Sequence, residues 1–376
     1  MNAAPAIKPL AGMKVLELSR ILAGPWACQI LADLGADVIK VEQPGKGDET
    51  RLWGPPFIGA DAAYFHSANR GKRSITLDLA TPRGQLVARA LAARSDVLVE
   101  NFRAGVLEKF GLDHESLKAA TPRLVYCSIT GFGQDGPYAH RPGFDAIVQA
   151  MGGLMSITGE KGAPQKVGVA IADILTGVYA VAAIEAALLE RERTGAGRHI
   201  DMALMDVQVS MLANQAMNYL ASGVVPAAMG SNHPNIVPYQ LFRVKDGAVM
   251  VAVGTDAQFR ALCAVLEAKD LSADPRFADN AGRVAAREAL IPALCARLAT
   301  WDRAALLAAL ENAGVPAGPV NDIAQVFADP QVVHRAMRTD TGVRTPIMID
   351  GAAAASTRPA PGLGEHTEEI LRELGL

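Results

Sequence analysis

Only four cysteines occur in 376 residues, Cys28, Cys127, Cys263 and Cys295, and no two of them form a CxxC pair. Such sparse spacing argues against a disulfide framework or a zinc ribbon and fits reduced, mostly buried thiols in a cytoplasmic protein. The seven histidines are scattered, with no HExxH, so no metal centre is expected. Neither sign of charge dominates: 36 basic against 39 acidic side chains leave a net charge of −3. There is thus no broad basic field for nucleic acid. No unbroken apolar run reaches the ~18 residues of a membrane span, so no membrane partner is expected. The opening stretch, Met1–Lys8, lacks the long apolar core of a signal peptide, in keeping with a cytoplasmic location. What the chain does have is core-forming material, with half its residues hydrophobic and 20% charged. Its length exceeds what one core usually holds, so two domains are expected.

The first half alternates strand-like and helix-like segments. Lys14–Leu18, Asp37–Glu42, Asp96–Glu100 and Leu124–Thr130 read as strands, and His199–Leu204 as a return strand. Trp26–Leu34 and Gly84–Arg94 read as helices, with Ser19–Pro25 as a loop. A long helix starts at Asp173 and stops at the Thr194–Gly197 run. Short β-branched runs separated by helices indicate βαβ units around a parallel sheet, an α/β Rossmann-like fold. The character changes near residue 222, where Gly223–Pro238 carries three prolines, two glycines and two asparagines. A strand at 248–253 and amphipathic helices near 256–268, 283–299 and 302–313 then suggest a smaller α+β domain. A short helix is expected at Thr367–Leu374.

Asp173 stands where the apolar stretch Val167–Ala172 meets a helix of small residues, Ile174–Ala180. A carboxylate at a helix start is favoured in its ionised form by the macrodipole and free N–H groups. It could attack an activated acyl group; it could equally be an ordinary N-cap. The first βαβ unit places Glu42 where a ribose-binding acid would sit. Yet Ser19–Pro25 has no GxGxxG, and Pro25 lacks an N–H that a pyrophosphate would use. Nicotinamide or flavin binding is therefore not expected. The basic run Asn69–Ser74 reads better as a solvated turn than as a phosphate holder. Asn101 and Phe102 follow a strand end, where ligands of open sheets bind. They could contact an adenine or simply close a turn.

Taken in order, these segments resemble the class III CoA-transferase family, which includes formyl-CoA:oxalate transferases and 2-methylacyl-CoA racemases. The matching pieces are Leu22–Pro25, Leu34–Glu42, Asn69–Ser74, Glu100–Phe102, Gly131–Gly133, Arg141–Asp145, Ala172–Gly177, Gly314–Pro316 and Leu363–Thr367. The resemblance implies that Asp173 is the nucleophile, passing through an aspartyl anhydride and an aspartyl-CoA thioester. It implies coenzyme A or acyl-CoA as a substrate, with no tightly bound cofactor. By position, Arg20, Leu22, Ala23, Gln43, Leu77, Leu79, Asn101, Phe102, Arg103 and Lys109 would contact CoA. Gln43 replaces an arginine of the formyl branch, and Pro142 a lysine. The glycine-rich run that covers the nucleophile in that branch is missing.

The racemase branch needs a second acid/base, typically the histidine of a Gly-His-Asp stretch. Here that stretch is Gly143-Phe144-Asp145, and phenylalanine carries no proton. Transfer is thus favoured over racemisation, with a non-catalytic CoA-binding protein a third reading. The run Met229–Gln240 is most like the branch handling succinyl-CoA and dicarboxylates such as glutarate and hydroxymethylglutarate. That makes Asp145, Asn232 and His233 candidates on the substrate side, with Arg51 a further cation for a second carboxylate; His233 could equally be a loop residue without a role. The resemblance further implies an interlocked homodimer. It divides the chain into a large CoA-binding α/β domain begun by 1–222, a small domain at 223–330, and a return segment at 331–376.

Overall fold

Val15, Leu16, Val38, Val97, Leu98, Val99 and Val125 are all almost fully buried, which is why their runs read as near-continuous apolar strands. In this computed structural model they build a six-stranded sheet. The strands are β1 (Lys14–Glu17), β2 (Asp37–Glu42), β3 (Lys72–Thr76), β4 (Val97–Glu100), β5 (Val125–Thr130) and β6 (His199–Ala203). Their order is β3-β2-β1-β4-β5-β6 and every pairing is parallel. This is the doubly wound order, whose reversal point lies between β1 and β4. Residues 8–376 are described; residues 1–7, most of the stretch read for a signal peptide, lie outside them.

Successive side chains of a strand point to opposite faces, so each strand feeds two cores. Val15, Val38, Val99 and Cys127 face α1 (Ala23–Asp33) and the long α5 (Ile171–Thr194). Leu16, Leu98 and Tyr126 face α3 (Pro82–Ala92) and α11 (Thr367–Leu374). The last of these spans the residues expected from sequence. Helix α1 starts at Ala23, earlier than the expected Trp26. Gly24 and Pro25 fall in its first turn, where the N–H groups have no intrahelical partner, so proline costs no hydrogen bond.

By length and hydropathy α5 would suffice to cross a membrane. It nevertheless carries Asp173 and Glu185, and it buries Ala172, Thr176, Gly177, Ala180, Ile184 and Leu188. Its apolar composition has a local cause, since it packs on α1 and the sheet.

The chain divides into two compact units. One comprises residues up to Leu154, Lys166–Gly223 and Pro330–Leu376; the other comprises Met155–Gln165 and Val224–Asp329. The second unit holds a three-stranded antiparallel sheet of β7 (Tyr239–Val244), β8 (Gly247–Ala252) and β9 (Ala317–Pro319). Helices α8 (Asp256–Val265), α9 (Arg287–Leu298) and α10 (Arg303–Asn312) cover it. Phe242, Val251, Phe259, Leu294 and Leu310 form its core. Met155–Gln165 joins this unit through the bond from the Gly230 N–H to the Gly159 carbonyl, 2.8 Å.

The basic run Asn69–Ser74 is neither a solvated turn nor a phosphate holder. Lys72 and Arg73 open strand β3, and Arg70, Lys72 and Arg73 are all buried in ion pairs. Arg70 pairs with Asp33 at 2.5 Å, Lys72 with Glu17 at 2.8 Å and Arg73 with Asp37 at 2.6 Å. A buried charge survives only with such a partner.

Candidate active site

The loops after β1 and β4 meet at the reversal point of the sheet. The Arg20 N–H donates to Asn101 Oδ1 at 2.8 Å, and Asn101 Nδ2 donates back to the Arg20 carbonyl at 2.6 Å. The Arg20 guanidinium pairs with Glu49 at 2.6 Å and lies 5.3 Å from the centre of the Phe102 ring. These loops wall a cleft of about 600 Å³ that also takes in Thr130, Gly131, Arg141–Phe144 and Asp173.

Asp173 reaches the cleft because α5 crosses α1 closely. A Cβ on Gly177 would sit 2.7 Å from the Ala23 carbonyl oxygen, so only glycine lets the helices approach this far. Two other motif glycines act in the same way. A Cβ on Gly143 would lie 2.3 Å from Gly131 Cα, backbone against backbone. Gly143→Ala is expected to destabilise the first unit by about 2–3 kcal/mol, because no flexible side chain can yield there. Urea denaturation measures it, and an unchanged midpoint would contradict the close approach.

Asp173 is the third residue of α5, with Ala170 in the capping position, so the N-cap reading is corrected. The free N–H groups of the helix start are used by another residue. Ala172 N–H and Asp173 N–H donate to Asp145 Oδ1 at 2.8 and 3.4 Å. Asp145 belongs to α4 (Asp145–Met151), and its Oδ2 accepts from Gln149 Nε2 at 2.7 Å. Gln149 in turn accepts the Val167 N–H at 2.9 Å. Asp145 therefore takes the benefit of the helix start that the sequence assigned to Asp173. Burial first, and then the charge of Asp145, pushes the Asp173 carboxyl up to about 7. The expected preference for the ionised form is thereby overturned. No bond to the Asp173 carboxylate occurs among the described residues, so its oxygens are open to a ligand.

A family model described as CoA-transferase family III matches residues 10–367. The chain belongs to that family. It is 52% identical to a succinate–glutarate CoA-transferase of Agrobacterium fabrum, over 97% of this chain and 96% of that one. It is 43% identical to a human succinyl-CoA:glutarate CoA-transferase, over 98% and 86%. Among solved structures, a CAIB/BAIF family protein from Brucella suis is 55% identical, with a TM-score of 0.88 and coverage of 98% and 100%.

Of the positions that resemblance to the class III CoA-transferases singled out, Arg20, Leu22, Ala23, Asn101, Phe102 and Arg103 line the cleft with Asp173. Gln43, Leu77, Leu79 and Lys109 do not. Gln43 and Lys109 are exposed elsewhere, Leu77 is buried in the core with Ile75 and Val87, and Leu79 packs against it. Arg51 is buried between Glu42 and Asp61, 2.7 Å from each, so it has no capacity left for a substrate carboxylate. Asn232 and His233 belong to the second unit. The Asn232 N–H donates to the Met229 carbonyl at 3.0 Å. His233 Nδ1 accepts the Asn235 N–H at 3.1 Å, and its ring lies 5.2 Å from that of Tyr239. Burial and then Arg287 hold the His233 imidazole below its usual range.

Sequence reading missed Glu49, Trp53 and Tyr64. Glu49 and Trp53 line the cleft, and the Tyr64 ring meets Trp53 edge-on at 5.2 Å. Burial and then the charge of Asp173 raise the Tyr64 phenol above its ordinary value. The one available signal was a tryptophan beside Gly54-Pro55-Pro56, in a run with neither helix nor strand period.

Proposed function

We propose that this enzyme moves CoA from succinyl-CoA to a dicarboxylate such as glutarate, with Asp173 as the covalent nucleophile. The observation that carries the reading is an unbonded, largely buried carboxylate in the cleft at the reversal point of the sheet. An Asp173 oxygen attacks the thioester carbonyl, the C–S bond breaks, and CoA leaves as a thiolate with a mixed anhydride behind it. The thiolate attacks the Asp173 carbonyl, forming an aspartyl-CoA thioester and freeing succinate. The acceptor carboxylate attacks that thioester and expels the thiolate again. Attack of the thiolate on the acceptor's carbonyl then gives the new acyl-CoA and regenerates Asp173. Each step exchanges one activated acyl bond for another, so no ATP is needed. The cleft must exclude water while the anhydride exists.

Dicarboxylate preference is supported by the names of the similar enzymes and by two cations. Arg103 and Arg141 line the cleft, and neither has a carboxylate partner among the described residues. They replace Arg51 as groups able to offset the desolvation of a second carboxylate or of the CoA phosphates. Phe144 lines the same cleft, 58% exposed, where a racemase would need a proton carrier. That supports transfer over racemisation. Helix α7 (Ala213–Ser222) has no buried residue and exposes Met217, Tyr219 and Leu220, which supports a second copy covering it in an interlocked homodimer. The reading places the enzyme in the cytoplasm, where its four thiols stay reduced.

The test is a mass-spectrometric survey of CoA products from a panel of thioester donors and acids. Glutaryl-CoA from succinyl-CoA and glutarate should form faster than butyryl-CoA from butyrate. Faster turnover of monocarboxylates than of every dicarboxylate would refute the dicarboxylate assignment.

A further inference from the structure

Strand β2 belongs to a motif whose polar residues the chemistry above leaves unused. Lys40 is fully buried, as are Glu17 of β1 and Lys72 of β3, and Asp48 is 1% exposed. Two acids and two bases make the set neutral, yet burying four charges costs more than burying apolar groups of the same size. Their contacts converge on one bend, from the end of β1 to the first turn of α1. Lys40 Nζ lies 3.0 Å from Glu17 Oε1 and 3.0 Å from Asp48 Oδ2, and it donates to the Ser19 carbonyl at 2.9 Å. Lys72 Nζ donates to the Pro25 carbonyl at 3.0 Å. Asp48 accepts the Ile21 N–H on both oxygens, at 3.3 and 3.2 Å, and takes the Thr50 N–H and hydroxyl on Oδ1.

Ile21 is the reason such anchoring is needed. Its φ is +71°, in the left-handed region that a β-branched residue avoids. Strain of this kind persists only where surrounding groups over-determine it, and it gathers at functional sites. Ile21 and its neighbours Arg20, Leu22 and Ala23 all line the cleft that holds Asp173. We propose that Asp48, fixed by Lys40, is a positioning residue for CoA transfer: it holds Ile21 in its strained conformation and so sets the cleft wall shared with Asp173. This rests on the reading of Asp173 as the nucleophile.

A double-mutant cycle tests it. Asp48→Asn keeps the shape of the side chain but removes its charge and one acceptor. Ile21→Gly removes the strain, since glycine adopts this φ freely. Asp48→Asn should lower kcat about ten-fold, with KM for the acyl-CoA moving less than about three-fold. In the Ile21→Gly background the same change should lower kcat less than about three-fold. Should Asp48→Asn fail to fold, Asp48→Glu displaces the carboxylate by one methylene and reads the same coupling. Equal losses in the two backgrounds, or an unchanged kcat, would overturn the proposal while leaving the Asp173 reading intact. Absence of CoA transfer by the unaltered protein would remove both.

Discussion

If Asp173 is the proposed covalent nucleophile, Asp173→Ala will lose CoA transfer by about four orders of magnitude or more, because the other carboxylate of the cleft, Glu49, is held in an ion pair by Arg20. The fold should be kept. Asp173 accepts no hydrogen bond among the described residues, and its N–H bond to Asp145 is a backbone one that alanine retains. Affinity for free CoA should also be kept, since the loops at Arg20 and Asn101 are pinned to each other independently of Asp173. Turnover measured by CoA-product chromatography, beside circular dichroism and calorimetric CoA binding, separates these effects. In the unaltered protein, hydroxylamine added with the acyl donor should attack the aspartyl carbonyl, release CoA and leave a hydroxamate on Asp173. Transfer by Asp173→Ala at a rate near that of the unaltered enzyme would place the nucleophile elsewhere.

The sheet was legible because its signal is local. Runs such as Asp37–Glu42 and Val97–Glu100 are buried on both faces, and their β-branched residues announce it within a few positions. The charges inside those runs were not legible. Lys72 and Arg73 look like solvent residues until Glu17, Asp37, Glu369 and Glu373 are brought beside them by the fold. The site showed the same division. Asp173, Asn101 and Phe102 stood out by their position at element ends. The state of Asp173 depends on Asp145, 28 residues upstream, and no local pattern carries that. Leu77 and Leu79 show the limit of a match by position, since the fold sets Leu77 in the core and packs Leu79 against it, apart from the residues that line the cleft with Asp173.

The activity of this enzyme should fall as pH drops through about 7, and the limb should belong to Asp173. Its carboxyl is held near 7 in the folded protein, against an ordinary value of 3.8. In the proposed mechanism the ionised form attacks, so kcat/KM should approach a ten-fold loss per pH unit well below 7 and be flat above it. Stability runs the opposite way. The unfolded chain releases this proton first, so the stability linked to Asp173 is complete below about pH 4 and is lost as pH rises through 7. Asp173→Asn should therefore stabilise the protein at pH 8, on the order of 2 kcal/mol once partial solvent access is allowed for, and do little at pH 4. The second cause of the raised value is the charge of Asp145. Asp145→Asn removes that charge and still offers a carbonyl oxygen to the Ala172 N–H. It should move the acid limb of the rate profile to lower pH while the protein stays folded. A limb that stays in place would assign it to another group; one that moves upward would mean that Asp145 stabilises the charged form of Asp173 and does not oppose it.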